Sequence, residues 1–314
     1  MIKIQKNILL SEYTSFKIGG LAKYFCVIKN SDEIKEALEF AGENKLKVFI
    51  LGGGSNLLIS DEGFDGLVIR IMNQELRIEN NEIFIDSGLS LIKLVNESVK
   101  NNLTGLEYLA GIPGTVGGAI VNNAGAFGKC MGDVVESVEI LNIKYWILDI
   151  KKLNNKQCDF SYRDSIFKKE KKCIILNAVL KLNKGNQEKS KKIITEILKS
   201  RKEKQPLEYP SAGSVFKNPV VDDKHLENLM IKCPELKGIV ENNTIPAGWL
   251  IEQIEGLKGK KIGGAMISEK HCNFIINFNN AKSEDVIILI SLIKQKIRSH
   301  FGIQLKEEIE YMGF

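Results

Sequence analysis

The chain has 314 residues, 44% of them hydrophobic. That is enough to bury a sizeable core, and the length fits about two or three domains at roughly 150 residues each. Its net charge of +5, from 44 Lys+Arg against 39 Asp+Glu, is mild and dispersed. A nucleic-acid groove would need clustered cations with interleaved aromatics, so that class is set aside, while a weak bias toward anionic small molecules stays open.

The predicted elements begin with a helix capped by Asn30 and Ser31, with Ile34, Leu38 and Ala41 at helical spacing. Residues 48–51 read as a short buried strand running into a glycine loop, 57–59 as a strand and 61–63 as a turn. Residues 66–71 and 83–86 read as further strands. Ser90 caps a helix whose apolar face is Leu91, Leu94, Val95, Ser98 and Val99. A glycine-rich stretch over 105–128 precedes strand-like pieces around 134–150 and 173–182. A helix over about 190–204 presents Ile193, Ile194, Ile197 and Leu198 and ends before Pro206, which marks a domain boundary. Residues 206–301 hold a polar-rich loop region, a helix opening at Pro246 and a long helix after Ser283. Residues 304–314 alternate like a strand. The class is mixed α+β.

The six cysteines, Cys26, Cys130, Cys158, Cys173, Cys233 and Cys272, show no C-x-x-C spacing. No metal site is expected, and scattered cysteines read as buried thiols in a reducing compartment. Residues 1–10 lack the apolar core of a secretion signal, and no run approaches the ~20 apolar residues of a membrane span. A soluble cytoplasmic monomer is expected.

Two segments carry ligand chemistry. In Gly52-Gly53-Gly54-Ser55-Asn56, three glycines after a strand let backbone N–H groups approach a ligand, and such nests bind pyrophosphate. No Gly-Lys-Ser/Thr follows, and neither does the helix of a dinucleotide fingerprint. A tight turn is the competing reading. The second segment runs from Gly105 through Gly111-Ile112-Pro113-Gly114-Thr115-Val116-Gly117-Gly118-Ala119 to Asn122 and Gly125. It keeps backbone close to something flat or crowded, either a large cofactor or a helix packed on a sheet.

These blocks, with Thr14-Ser15-Phe16-Lys17-Ile18-Gly19-Gly20 before them, resemble the UDP-N-acetylenolpyruvoylglucosamine reductase family. The resemblance continues through Tyr162-Arg163-Asp164-Ser165, the run 211–219, Gly248-Trp249-Leu250-Ile251-Glu252 and the run 307–313, so it covers the chain in order. It implies non-covalent FAD in a two-lobed domain of the vanillyl-alcohol-oxidase type, over 1–70 and 71–205. It also implies a substrate domain over 206–301 and a closing strand over 302–314. The implied reaction uses NADPH to reduce the flavin, which then delivers hydride to C3 of an enolpyruvyl sugar nucleotide while a proton reaches C2. Nothing in the residues themselves favours NADPH over NADH.

By the same resemblance Gly52, Gly53, Gly54, Ser55, Asn56, Gly111, Ile112, Pro113, Thr115, Gly117, Gly118, Ala119, Asn122 and Gly125 hold the cofactor. Hydride addition pushes charge onto the substrate carboxylate, which calls for a cation there and an acid near C2. Arg163 resembles the carboxylate-polarising arginine, its fork suited to two parallel bonds; a salt bridge to Asp164 is the alternative. Ser214 resembles the proton donor, against a plain Gly-Ser turn. Glu308 is the third member by resemblance alone, since Glu307 and Glu310 lie beside it; relatives often have Arg or Lys where Glu310 stands. Tyr162, Lys217, Asn218 and His271 are expected on the substrate, with a packing histidine as the alternative for His271, and Trp249 reads as core. Residues 205–211 match the form of the family that lacks a tyrosine insertion, while 220–245 match the other form, so the lid is not assigned. A different flavoprotein of the same fold, oxidising a small alcohol, is the competing enzyme, and a non-catalytic nucleotide-binding module the other class.

Overall fold

The first four-stranded sheet shows how this sequence builds its elements. In the computed structural model, which describes residues 2–144, 147–170 and 173–314, the sheet order is Gln5–Leu9, Leu21–Ile28, Phe64–Ile71, Lys47–Leu51. Strands Leu21–Ile28 and Lys47–Leu51 both run parallel to Phe64–Ile71. Parallel neighbours need a crossover, and the helix Ser31–Glu43 supplies it. Asn30 caps that helix by accepting the Glu33 N–H at 3.0 Å, and Asp32 and Glu33 favour its N-terminal dipole. Ile34, Ala37, Leu38 and Ala41 are buried against Cys26, Leu67 and Ile69.

A five-stranded antiparallel sheet follows, in the order Ile147–Asn154, Val135–Lys144, Cys173–Lys181, Glu82–Asp86, Leu76–Glu79. Tyr145 and Trp146, inside the predicted strand segment 134–150, lie outside the described residues. Helix Leu91–Lys100 packs on this sheet with all five expected residues buried, and its four apolar ones, Leu91, Leu94, Val95 and Val99, contribute about 1.5–3 kcal/mol each. Ser90 accepts the Lys93 N–H, as its capping position requires.

The chain divides into two units. The two sheets above belong to the first, comprising Met1–Ile8, Ala22–Gly54 and Phe64–Arg201. The second comprises Leu9–Leu21, Ser55–Gly63 and Lys202–Phe314. It contains an antiparallel sheet in the order Ser211–Ser214, Phe274–Asn277, Ala265–Ile267, Lys261–Ile262, with the helix Ser283–Phe301 sharing its core. Glu310–Met312 pairs in parallel with Leu57–Ile59.

Several expectations are corrected. The "polar-rich loop region" after residue 206 holds a strand at Ser211–Ser214, a helix at Asp223–Lys232 and a 3₁₀ turn at Pro234–Gly238. The helix near 190–204 runs from Gln187 to Lys204, but Ile193 and Leu198 are 44% and 45% exposed. Only Ile197 of its expected face is buried, because the helix docks through Ser190, whose hydroxyl binds buried Glu107 at 2.5 Å. All six cysteines are free, but Cys130, Cys173 and Cys233 are only half-buried. Among the described residues no helix is long and apolar enough to cross a membrane.

Candidate active site

The two glycine-rich segments meet backbone to backbone. A Cβ placed on Gly53 would lie 2.6 Å from the Gly114 Cα, and one on Gly52 would lie 2.7 Å from the Thr115 Oγ1. Any side chain there would force the segments apart, so glycine is required by close approach. The second segment is itself clamped: Leu91 N–H donates to Gly114 O at 3.1 Å, Val116 N–H to Leu89 O at 2.9 Å, and Gly117 N–H to Ser87 O at 2.8 Å. Thr115 then caps the short helix Val116–Val121. At Gly117 the packing alternative holds, since a Cβ would sit 2.9 Å from the Ser87 Cβ. At Gly118 the nearest atom to such a Cβ is 3.6 Å away. Gly111 packs against the Arg201 side chain, and Asn122 accepts the Lys168 ammonium at 2.7 Å.

The arginine motif is tied to this surface. Ser161 and Asp164 exchange two backbone hydrogen bonds at 3.1 Å, closing a turn that holds Arg163 at φ 55°. A left-handed conformation is costly for arginine, of order 1–2 kcal/mol, and persists only when neighbours enforce it. Those neighbours are the side chain of Asn123, which donates to Ser161 O at 2.8 Å, and Ser165, whose hydroxyl donates to Val121 O at 2.6 Å. The Arg163 guanidinium donates to Gly125 O at 2.6 Å and lies 5.2 Å from the Tyr162 ring centroid. The Asp164 carboxylate lies 3.9 Å from the Lys169 ammonium.

In the second unit, Ser214, Lys217 and Glu308 are drawn into one backbone ladder. Glu308 N–H donates to Val215 O at 2.7 Å and Lys217 N–H to Lys306 O at 2.9 Å. Asn56, from the end of the glycine loop, binds the same segment: its amide donates to Glu308 O at 3.1 Å, and its carbonyl accepts the Glu310 N–H at 2.9 Å. Glu307 is separated from its neighbours by an ion pair with Lys294 at 2.8 Å. Asn218 Oδ1 accepts the Ala247 N–H at 2.9 Å, at the start of the helix Ala247–Glu252. His271 is half-buried: Asn273 N–H donates to its Nδ1 at 3.2 Å, and its ring meets Phe274 edge-on. Burial holds the His271 imidazole below its ordinary pKa. Trp249 packs with Phe301, as core.

Asn273 was not singled out from sequence. It is 3% exposed, and its two amide ends bind the Phe216 N–H and C=O, both at 2.9 Å. It substitutes for a missing strand neighbour just after Ser214. The only signal was its place in the His-Cys-Asn block, where the histidine drew attention.

The residues of the first unit fit a flavin dinucleotide. Gly53 meets Gly114 backbone to backbone, a Cβ on Gly118 would have no atom nearer than 3.6 Å, and the buried hydroxyls of Ser87 and Tyr108 have no hydrogen-bond partner among the described residues. Unmet buried polar atoms in such a place suit a group that brings its own partners. Burial, with Cys130 and Asp133 nearby, raises the Tyr108 phenol above its ordinary range, so it remains a donor.

Comparison with known proteins agrees. A model described as FAD binding domain matches residues 22–144. The chain carries an FAD-binding domain and is an FAD-dependent oxidoreductase. A second model, the C-terminal domain of UDP-N-acetylenolpyruvoylglucosamine reductase, matches residues 205–312. The protein of that name from Caldanaerobacter subterraneus is 42% identical over 312 residues, spanning 99% of this chain and 94% of its own length. The one from Clostridium novyi is 37% identical, over 99% and 92%. A solved structure of the Thermus caldophilus reductase superposes with a TM-score of 0.78 at 30% identity, covering 99% of this chain and all of that one. The chain belongs to the UDP-N-acetylenolpyruvoylglucosamine reductase family.

Proposed function

We propose that this chain reduces the enolpyruvyl ether of UDP-N-acetylglucosamine to UDP-N-acetylmuramate with NADPH, a step of peptidoglycan precursor synthesis, and that it works as a cytoplasmic monomer. The observation that carries the reading is the ladder joining the Ser214 and Glu308 segments, since it draws two of the expected catalytic side chains into one unit. FAD, when bound, supplies the hydride transfer. Gly52, Gly53, Gly54, Ser55 and Asn56, with the segment from Gly111 to Gly125, would hold it.

In this reading Arg163 faces the substrate carboxylate and stabilises the charge that builds there as C3 is reduced. Ser214 gives its hydroxyl proton to C2, which completes the addition across the double bond. A serine is a weak acid, so it acts beside Lys217, and Glu308 serves the enolate. Tyr162, Lys217, Asn218 and His271 line the nucleotide.

The test is anaerobic. NADPH should bleach the flavin, and the enolpyruvyl sugar nucleotide should restore its colour with one product per NADPH. Bleaching without recovery, or recovery only with oxygen, would favour an alcohol-oxidising flavoprotein.

A further inference from the structure

The Thr14-Ser15-Phe16-Lys17 segment has no part in the roles above, yet it is built with care. Thr14 is 3% exposed, and its Oγ1 accepts the Lys17 N–H at 3.1 Å. That turn holds Lys17 at φ 57°, a conformation rarely adopted by side chains of its kind. Phe16 is wholly buried in the cluster that contains Ala212, Val215 and Phe216. Ser15, fixed between these anchors, donates its hydroxyl to Ser211 O at 2.7 Å. The Phe16 and Lys17 carbonyls accept from the Asn277 amide at 3.2 and 3.4 Å. The segment therefore grips both members of the strand pair Ser211–Ser214 and Phe274–Asn277.

That strand pair is irregular where it matters. Ser211 faces Ile276 and Ser214 faces Phe274, so three steps on one strand oppose two on the other. The extra residue forms a bulge, with Gly213 at φ 78° and its N–H donated to Ser211 Oγ at 3.4 Å. A bulge re-aims the side chains after it, and loss of one residue of register would turn Ser214 to the opposite face. Behind Ser214 the ladder is fixed by Val215 N–H to Asn273 O at 2.8 Å. Ahead of it, Ser211 is the residue that the Ser15 hydroxyl secures.

We propose that Ser15 is a positioning residue for the reaction: by holding Ser211 it keeps the bulge in the register that aims the Ser214 hydroxyl. This rests on the reading of Ser214 as proton donor. Ser15 acts through the backbone of residues 211–214.

The test uses the full chain loaded with FAD and three variants, Ser15→Ala, Ser15→Thr and Ser214→Ala. Ser15→Ala should lower kcat about 10- to 100-fold, the effect of a displaced reacting group. KM for the enolpyruvyl nucleotide and the rate of flavin reduction by NADPH should stay within about two-fold of the parent, as expected when only a transition-state interaction is lost. Amide exchange at residues 211–214 should quicken, and Ser15→Thr, which keeps the hydroxyl, should restore kcat. If Ser15→Ala yields no folded protein, Ser15→Cys, nearly isosteric with a weak donor, takes its place with the same expectation. Parent-like kcat in Ser15→Ala beside an inactive Ser214→Ala would overturn the proposal and leave the role of Ser214 standing. A Ser15→Thr variant as impaired as Ser15→Ala would also overturn it, since the hydroxyl would not be the cause. Full activity in Ser214→Ala would remove the role of Ser214 and the proposal with it.

Discussion

The glycine-lined surface of the first unit and the serine–glutamate ladder of the second are made by opposite means. The first is formed by leaving side chains out: Gly52 and Gly53 press against Thr115 and Gly114 with no room for a Cβ. The second is formed by adding hydrogen bonds that no regular sheet would supply, from Asn273 to Phe216 and from Asn56 to Glu308. A surface defined by close backbone contact tolerates no added atom, whereas one defined by added bonds tolerates no removed atom. The first suits a large planar cofactor, and the second suits a group whose aim must be set within a fraction of an ångström.

The comparison can be broken most sharply on the reacting side. Ser214→Ala should cut product formation by about 10²- to 10⁴-fold, the range for loss of a general acid, while NADPH still bleaches the flavin. Rapid-mixing measurement of the two half-reactions separates them; equal slowing of both would place Ser214 elsewhere. On the cofactor side, Gly53→Ala must push Gly114 away, an overpacking that costs about 1–3 kcal/mol, or roughly 10- to 100-fold in FAD affinity. Fluorescence titration of the stripped protein with FAD measures it, and unchanged affinity would argue for a plain turn.

Asn273→Ala should lower stability by about 1–3 kcal/mol, because two buried backbone groups of Phe216 lose their partners. Chemical denaturation gives the value, and a change under 0.5 kcal/mol, near the scatter of surface substitutions, would remove Asn273 as a support.

The smallest effect lies away from both sites, at Glu107. Burial works to raise the pKa of this carboxyl, but hydrogen bonds from Ser190, Thr104 and the Gly105 N–H outweigh it, and the net shift is downward. A carboxylate depressed in the folded state stabilises above its unfolded pKa, and that stability is lost as pH falls through the folded pKa. The parent should lose Tm between about pH 5 and pH 3 more steeply than Glu107→Gln, with a difference of about 2–4 °C for a chain of this size. Parallel Tm curves would show that the hydrogen bonds do not distinguish the two charge states.

The elements that repeat were legible in the sequence. The helices at Ser31–Glu43 and Leu91–Lys100, their caps and their buried faces all follow from apolar spacing and an Asn or Ser at the start. The glycine segments and the blocks around Arg163, Ser214 and Glu308 were legible as family motifs. The helix near 190–204 was misread on its buried face, because it docks through the buried Ser190–Glu107 contact while Ile193 and Leu198 stay exposed. Asp223–Lys232 was missed because its short apolar spacing lies in a polar surround.

What the sequence determined by itself was therefore local: which stretches form helices or strands, where glycines exclude side chains, and which family's order of motifs the chain carries. These depend on neighbours a few residues apart, or on the order of the blocks. What only the tertiary structure decided was which loops meet and how each side chain is aimed. Gly53 finds Gly114 across 61 positions (114 − 53), and Ser15 finds Ser211 across 196. Such contacts are set by the packing of whole sheets and leave no periodic trace in the chain, which is why Ser15 and Asn273 became visible as supports of Ser214 only once the strands were in place.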